Sequence, residues 1–176
     1  MIQQGARILP ALLAVIAGVL DWRSRRIPNW LTVPALAVGI VVNSWLRGWP
    51  GAKDSLLGVG LGLGLLLPFV LIRSLGAGDW KLIGALGAFL GPQRLLTVLF
   101  VTVLAAGIMA LVLVIWKRRL LQTLRNIGRL LASLLSFHLP GQELTLDNPQ
   151  STKVPFGVAV AAAVIVYTAG QGWRLF

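Results

Sequence analysis

Six apolar segments separated by short polar stretches constrain this chain more than any other feature. They lie at about 8–20, 30–46, 56–72, 82–90, 95–116 and 154–170. Apolar residues make up 57% of the 176 residues, whereas soluble domains are usually about 45–50% apolar. Because a helix needs roughly 20 residues to cross the hydrocarbon core, we predict an all-α polytopic membrane protein. It would be a single domain over residues 1–176 with about six transmembrane helices.

The fourth apolar segment, 82–90, is too short to cross a membrane. At 1.5 Å per residue it covers roughly half of the hydrocarbon thickness. Gly91-Pro92 follows it directly. Two arrangements stay open: the segment joins the fifth as one bent helix, or it is a short helix that begins inside the membrane profile. The second would place Asp79 in a water-accessible notch.

The basic residues predict an orientation. The chain carries 16 Lys and Arg against five acidic residues, a net charge of +11. With six spans, most basic residues fall on one side, which should be cytoplasmic. Asp21 and Asp79 fall on that same edge. The basic cluster after the first segment, without an A-x-A site, favours a retained span over a signal peptide. Because membrane topology accounts for the positive charge, we expect no nucleic-acid partner and expect membrane lipid as the surface that the protein contacts.

A basic stretch at about 117–138 has leucines at helical spacing, with arginines in much of the remainder. It is either an amphipathic helix on the anionic inner leaflet or a cytoplasmic extension of the fifth span. The glycines at 58, 60, 62 and 64 are spaced for close helix packing. There is no Cys and one His, so we expect no disulfide, no metal site and no cofactor.

The chemistry-bearing candidates are two carboxylates at the ends of apolar segments. Asp79 ends the motif Gly76-Ala77-Gly78-Asp79, and Asp21 follows the first segment. An ionisable residue at a membrane edge is a functional candidate, and two together could act as acid and base while sharing a proton. The structural alternatives are a helix cap for Asp79 and a boundary acid neutralised by Arg23 or Arg25 for Asp21.

Three motifs, taken together, resemble the prepilin peptidases (type IV leader peptidases), which are membrane aspartic proteases of the G-x-G-D class. The first is Asp21 with Arg26-Ile27-Pro28-Asn29, and the second is Gly76-Ala77-Gly78-Asp79-Trp80-Lys81. The third is Pro155-Phe156-Gly157, which opens the last segment. The resemblance covers nearly the whole chain, and the motifs occur in the family's order.

The resemblance implies an aspartic endopeptidase of the bacterial inner membrane, with Asp21 and Asp79 as its catalytic pair. Its substrates would be prepilins and pseudopilins, cut after a Gly at the cytoplasmic face. Substrate contacts are expected at five residues: Gly76, Gly78, Pro155, Phe156 and Gly157. We expect the substrate helix to dock near the glycine-rich third and fourth segments.

The larger family members also methylate the new N-terminus and carry paired C-x-x-C motifs. The lack of Cys makes this chain more similar to the short peptidase-only branch serving Flp/Tad-type pili. Lys81 and Arg73 are interpreted as topology and lipid contacts. The alternatives are a non-enzymatic scaffold subunit of a pilus or secretion assembly and, less favoured, a small proton-coupled transporter that uses Asp79.

Overall fold

The computed structural model describes residues 2–116, Gly128 and 155–172, with side chains described from residue 8 to 170 within those ranges. These residues form α1 (Ile2–Ser24), α2 (Asn29–Leu71), α3 (Ala77–Trp116) and α4 (Phe156–Gly172). The predicted all-helical fold is confirmed. The predicted basic segment at 117–138 lies, apart from Gly128, outside the described residues.

Helix α2 reverses direction at Gly48. This residue has φ 60° and ψ −144°, a conformation that only glycine adopts readily. Asn43 and Ser55 are 12 positions apart, yet their side chains are joined by a hydrogen bond of 3.0 Å. A straight helix would separate them by roughly 18 Å. The two halves of α2, 29–47 and 49–71, therefore form an antiparallel hairpin, and both continue into the stretch predicted as a connection between 46 and 56.

Helix α3 reverses in the same way at Gly91, where φ is 73° and ψ is 175°. A Cβ added to Gly62 would lie 3.1 Å from both Ile83 and Leu95, so these two side chains meet across the break. The first half of α3, 77–90, is thus a separate short helix rather than the start of one bent helix. It begins at Ala77, five residues before the predicted start, and includes Asp79 in its first turn.

The first half of α3 lies at the centre of the described structure. Every residue from Leu82 to Ala88 is buried. The second half of α2 runs antiparallel to it, since Trp80 Nε1 donates to the Leu63 carbonyl at 2.8 Å and Ser55 Oγ donates to the Ala88 carbonyl at 2.7 Å. α1 and α4 pack against one another and against α3 on the other side.

Glycines allow this packing. A Cβ on Gly58 would overlap the Gly87 carbonyl, and a Cβ on Gly87 would overlap the Gly58 carbonyl. The backbones of α2 and α3 therefore touch there. The prediction that glycines mediate close packing holds for Gly58 and Gly62, whereas Gly60 and Gly64 face open space.

The sharp turn at Gly91 leaves an unpaired carbonyl that other residues satisfy. In a continuous helix the Ala88 carbonyl would accept from the N–H of residue 92, but that residue is proline and has no N–H. Asn43 Nδ2 donates to the Ala88 carbonyl at 2.8 Å and to the Phe89 carbonyl at 3.0 Å. Ser55 Oγ is the second donor to Ala88. This buried network joins both halves of α2 to the end of the short helix.

Within the described residues, α2 and α3 are long and apolar enough to cross a membrane by length and composition, and α4 contains a shorter apolar helix. Large apolar side chains on the outer faces of α2 and α3 are exposed, including Leu71 at 71% and Phe100 at 66%.

Replacing Gly87 by Ala should destabilise the fold by roughly 1–3 kcal/mol, because the new methyl group would overpack against the Gly58 backbone. Gly60→Ala is the matched control on the facing helix. It has open space and should stabilise by about 0.4–1 kcal/mol through the unfolded state. Denaturant unfolding in micelles measures both, and equal effects of the two substitutions would contradict the backbone contact.

Replacing Asn43 by Ala should cost roughly 1–3 kcal/mol of unfolding free energy, because the Ala88 and Phe89 carbonyls would each lose the hydrogen bond from Asn43 Nδ2. Ser44→Ala is the control, since Ser44 Oγ only donates back to the Ile40 carbonyl of its own helix at 2.7 Å. The same unfolding measurement applies. A stability of Asn43→Ala equal to that of the control would show that the network does not hold the turn.

Candidate active site

Asp21 lies in the last turns of α1, and its side chain is turned into the protein with only 6% exposure. Its Oδ2 accepts a hydrogen bond of 2.8 Å from the backbone N–H of Gly157. Gly157 is the second residue of α4, where backbone N–H groups have no partner within the helix. The positive end of the helix dipole also favours a carboxylate there. Asp21 thereby joins the end of α1 to the start of α4.

The Pro155-Phe156-Gly157 motif is shaped for this contact. The buried Pro155 precedes the helix, and its carbonyl accepts from the N–H of Val158 at 3.1 Å. A Cβ on Gly157 would lie 2.9 Å from the Asp21 Cβ and 3.1 Å from Oδ2. No larger residue fits at position 157 without displacing the carboxylate. Phe156 is half-buried and packs against the core.

Asp79 lies in the first turn of α3. Gly76 precedes the helix, its carbonyl accepts from the Trp80 N–H at 3.1 Å, and its own N–H donates to the Asp79 carboxylate. This is the returning half of a capping box, in which the third helical side chain reaches back to the residue before the helix. The cap interpretation of Asp79 is thus correct in kind, although Asp79 caps from inside the helix.

The cap uses only one oxygen of Asp79. Its Oδ1 is buried and has no hydrogen-bond partner among the described residues. A buried carboxylate oxygen is normally bonded, so Oδ1 is a site where a water molecule or a substrate group would be stabilised. The capping role of Asp79 therefore involves one carboxylate oxygen and leaves the other without a partner in the described structure.

The structure brings the two carboxylates to the same end of the helices. The charge of Asp21 acts on Asp79, and Arg25 adds a nearby positive charge on the Asp21 side. Arg25 follows the last residue of α1 in a left-handed conformation with φ 53°, and its N–H donates to the Asp21 carbonyl at 2.8 Å. The two acids lie far apart in sequence, and tertiary packing brings them to the same end of the helices.

The three glycines that were predicted to contact substrate have different surroundings in the structure. Gly78 is packed against the loop before α2, since a Cβ there would lie 2.9 Å from the Ile27 carbonyl oxygen. Gly157 is buried against Asp21. Gly76 is half-buried next to the Asp79 carboxylate. The missing side chains at 78 and 157 make room for neighbouring parts of the protein itself.

Two polar residues near the starts of α2 and α3 were not predicted as site residues. Lys81 Nζ donates to Asn29 Oδ1 at 3.0 Å, joining the starts of α2 and α3. Thr32 is 1% exposed, and its Oγ1 has no hydrogen-bond partner among the described residues. Lys81 belongs to the G-x-G-D-x-K motif, so the sequence contained its signal. Thr32 carries no such signal, because a threonine inside an apolar segment is ordinary.

Over the part of the chain that the structure describes, no three His, Cys, Asp or Glu side chains gather in a way that could hold a metal ion.

Comparisons with known proteins agree with the motifs. Curated proteins named prepilin leader peptidase/N-methyltransferase are similar to this chain. The protein from Xanthomonas campestris is 30% identical over 122 residues, covering 65% of this chain and 42% of the relative. The protein from Escherichia coli is 32% identical over 127 residues, covering 68% of this chain and 56% of the relative. The chain thus spans about half the length of the curated relatives it matches. No solved structure matches it.

Residues 8–111 match the type IV leader peptidase family, a stretch that includes both Asp21 and Asp79 and more than half of the chain. Together with the carboxylate pair, this match shows that the chain belongs to the type IV leader peptidase family.

Proposed function

We propose that this protein is an aspartic endopeptidase that removes the basic leader peptide from prepilins and pseudopilins. The observation that carries the proposal is the pairing of Asp21 with Asp79 at one end of the helices, each held by a backbone N–H. Family membership supports the reaction class, since the relatives are named prepilin leader peptidases.

The pair can perform both proton transfers of peptide hydrolysis. The ionised aspartate takes a proton from a water molecule, whose oxygen attacks the carbonyl carbon of the last leader residue. The protonated aspartate donates to the carbonyl oxygen. When the C–N bond breaks, a proton passes to the leaving amine, which becomes the N-terminus of the mature pilin. Because two close carboxylates titrate as a coupled pair, neither role belongs to one residue by sequence alone.

We propose that the chain has six transmembrane segments in the bacterial inner membrane, the fourth of which, 77–90, is short and begins inside the membrane profile. The reversals at Gly48 and Gly91 divide α2 and α3 into two segments each, which with α1 and α4 makes six in the described chain. Asp21 and Asp79 lie at the end opposite to these reversals. The excess of basic residues in the connections on the aspartate side supports a cytoplasmic site, and the exposed apolar side chains support a lipid environment.

The position of the site suits the proposed substrate. A prepilin in the inner membrane would present its leader in the cytoplasm and its apolar helix in the bilayer, with the cleaved bond just outside that helix. Docking on the glycine-rich second half of α2 would have to use the outward face with Gly60 and Gly64, because Gly58 and Gly62 are already packed against α3.

We propose that the chain does not methylate the new N-terminus and that it serves Flp-type prepilins. The sequence has no Cys, and α1 and α2 are separated by only the short connection 25–28. That leaves no room between them for the Cys-bearing cytoplasmic domain of the larger family members. Intact mass of a processed pilin tests this: an added 14 Da, the mass of one methyl group, would overturn it.

Replacing either carboxylate by an amide should abolish cleavage. For Asp21→Asn and Asp79→Asn we expect a rate loss of at least about 100-fold, since each removes a proton-transfer group. The measurement is the intact mass of a co-expressed Flp-type prepilin with a basic leader ending in Gly.

The matched control is Asp54→Asn. Asp54 forms an ion pair of 2.9 Å with Arg47 at the opposite end, with both side chains more than 40% exposed. The control should cleave at the wild-type rate. Cleavage that survives Asp21→Asn or Asp79→Asn would contradict the catalytic pair. It would favour the alternative of a non-enzymatic scaffold subunit, with another peptidase processing the prepilin.

Gly157→Ala should lower the cleavage rate by about 100-fold or more, because its methyl group would displace the Asp21 carboxylate by a distance on the order of 1 Å. Gly170→Ala in the same helix is the control, since nothing lies within 4 Å of a Cβ there. Rates are compared in the prepilin assay at equal membrane levels of enzyme. Wild-type activity of Gly157→Ala would show that the contact between Gly157 and Asp21 is not required.

A further inference from the structure

We propose that Asn29 and Lys81 form a clamp that positions the two aspartates relative to each other. The inference rests on the proposed peptidase function and assigns these two residues a positioning role in it. It would replace the interpretation of Lys81 as a topology or lipid contact.

Asn29 and Lys81 lie just beyond two short connections that adjoin the helices with the aspartates. One is 25–28, which follows α1 with Asp21 and leads into α2. The other is 72–76, which leads into α3 with Asp79. Neither contains a helix or strand. Backbone hydrogen bonds hold 72–75 to the last turn of α2, but they do not fix one connection relative to the other. Lys81 Nζ donates to Asn29 Oδ1 at 3.0 Å across 52 positions of sequence.

A second contact lies beside the first. Ile27 is 7% exposed, and a Cβ on Gly78 would lie 2.9 Å from its carbonyl oxygen and 3.1 Å from its Cβ. Gly78 and Lys81 flank Asp79, and Ile27 and Asn29 flank Pro28. Two independent contacts thus join the start of α2 and the loop before it to the start of α3. One is the packing of Gly78 against Ile27, and the other is the hydrogen bond from the charged Lys81 to Asn29.

The hydrogen bond between Lys81 and Asn29 suits a positioning role better than neutralisation of the lysine charge. Because Asn29 is uncharged, the hydrogen bond orients the Lys81 ammonium group without neutralising its positive charge. A carboxylate at position 29 would introduce a third negative charge close to the catalytic pair. The amide oxygen instead provides an acceptor for a charge-assisted hydrogen bond, which is stronger than a neutral one.

The test compares Asn29→Ala, Lys81→Met, the double variant and Lys81→Arg in steady-state cleavage of a reconstituted Flp-type prepilin by the full chain. Asn29→Ala and Lys81→Met should each lower kcat about tenfold and leave KM within about twofold, since misplaced aspartates affect the reacting atoms more than substrate binding. The double variant should be no slower than either single one. Lys81→Arg should recover most of the rate because its guanidinium can also donate to Asn29.

Lys53→Met is the matched control, because Lys53 is an exposed lysine near the Gly48 reversal. It should behave as wild type, and unfolding midpoints of all variants should agree. Asn29→Ala at the wild-type rate with Lys81→Met impaired would overturn the clamp, since the lysine charge alone would then matter. Multiplying effects in the double variant would also overturn it. A wild-type chain that does not cleave would instead reject the proposed function and the clamp with it.

Discussion

The buried first half of α3 is the constraint on which the rest of the structure depends. Its residues from Leu82 to Ala88 are enclosed by α2 on one side and by α1 and α4 on the other. Such close approach requires that Gly58 and Gly87 lack side chains. It also requires a donor for the carbonyl that Pro92 leaves unpaired, which Asn43 and Ser55 provide. With both conditions met, the helix has one position, and Asp79 at its start is fixed with it.

The two carboxylates share one structural principle. Each accepts from a backbone N–H at the start of a helix, Asp21 from Gly157 at α4 and Asp79 from Gly76 at α3. Such N–H groups have no partner within their own helix and favour an anion. A helix start therefore holds a carboxylate in place with one oxygen, while the other oxygen of Asp79 has no partner among the described residues. This explains why capping and catalysis were both reasonable interpretations of the same motif.

Much of the fold could be predicted from hydropathy. The six apolar segments correspond to the helical segments of the described chain, because apolar length is a direct property of sequence. Helix ends were less predictable. α3 begins at Ala77 rather than at 82, and the two halves of α2 reach Gly48 from both sides, through the stretch 46–56 that was predicted as a connection. These ends depend on backbone hydrogen bonds and left-handed glycines, which leave little trace in composition. The network around Asn43 was not predicted at all, since its acceptors lie on another helix.

The sequence by itself determined the helical class, the two candidate carboxylates and the three motifs that mark the family, because each depends on residue type and order along the chain. Only the tertiary structure decided that Gly157 is the partner of Asp21 and that Asn29 contacts Lys81. It also decided that Gly58 and Gly62 face a neighbouring helix while Gly60 and Gly64 do not. Those contacts join residues far apart in the chain, and distances of that kind are set by how the helices pack.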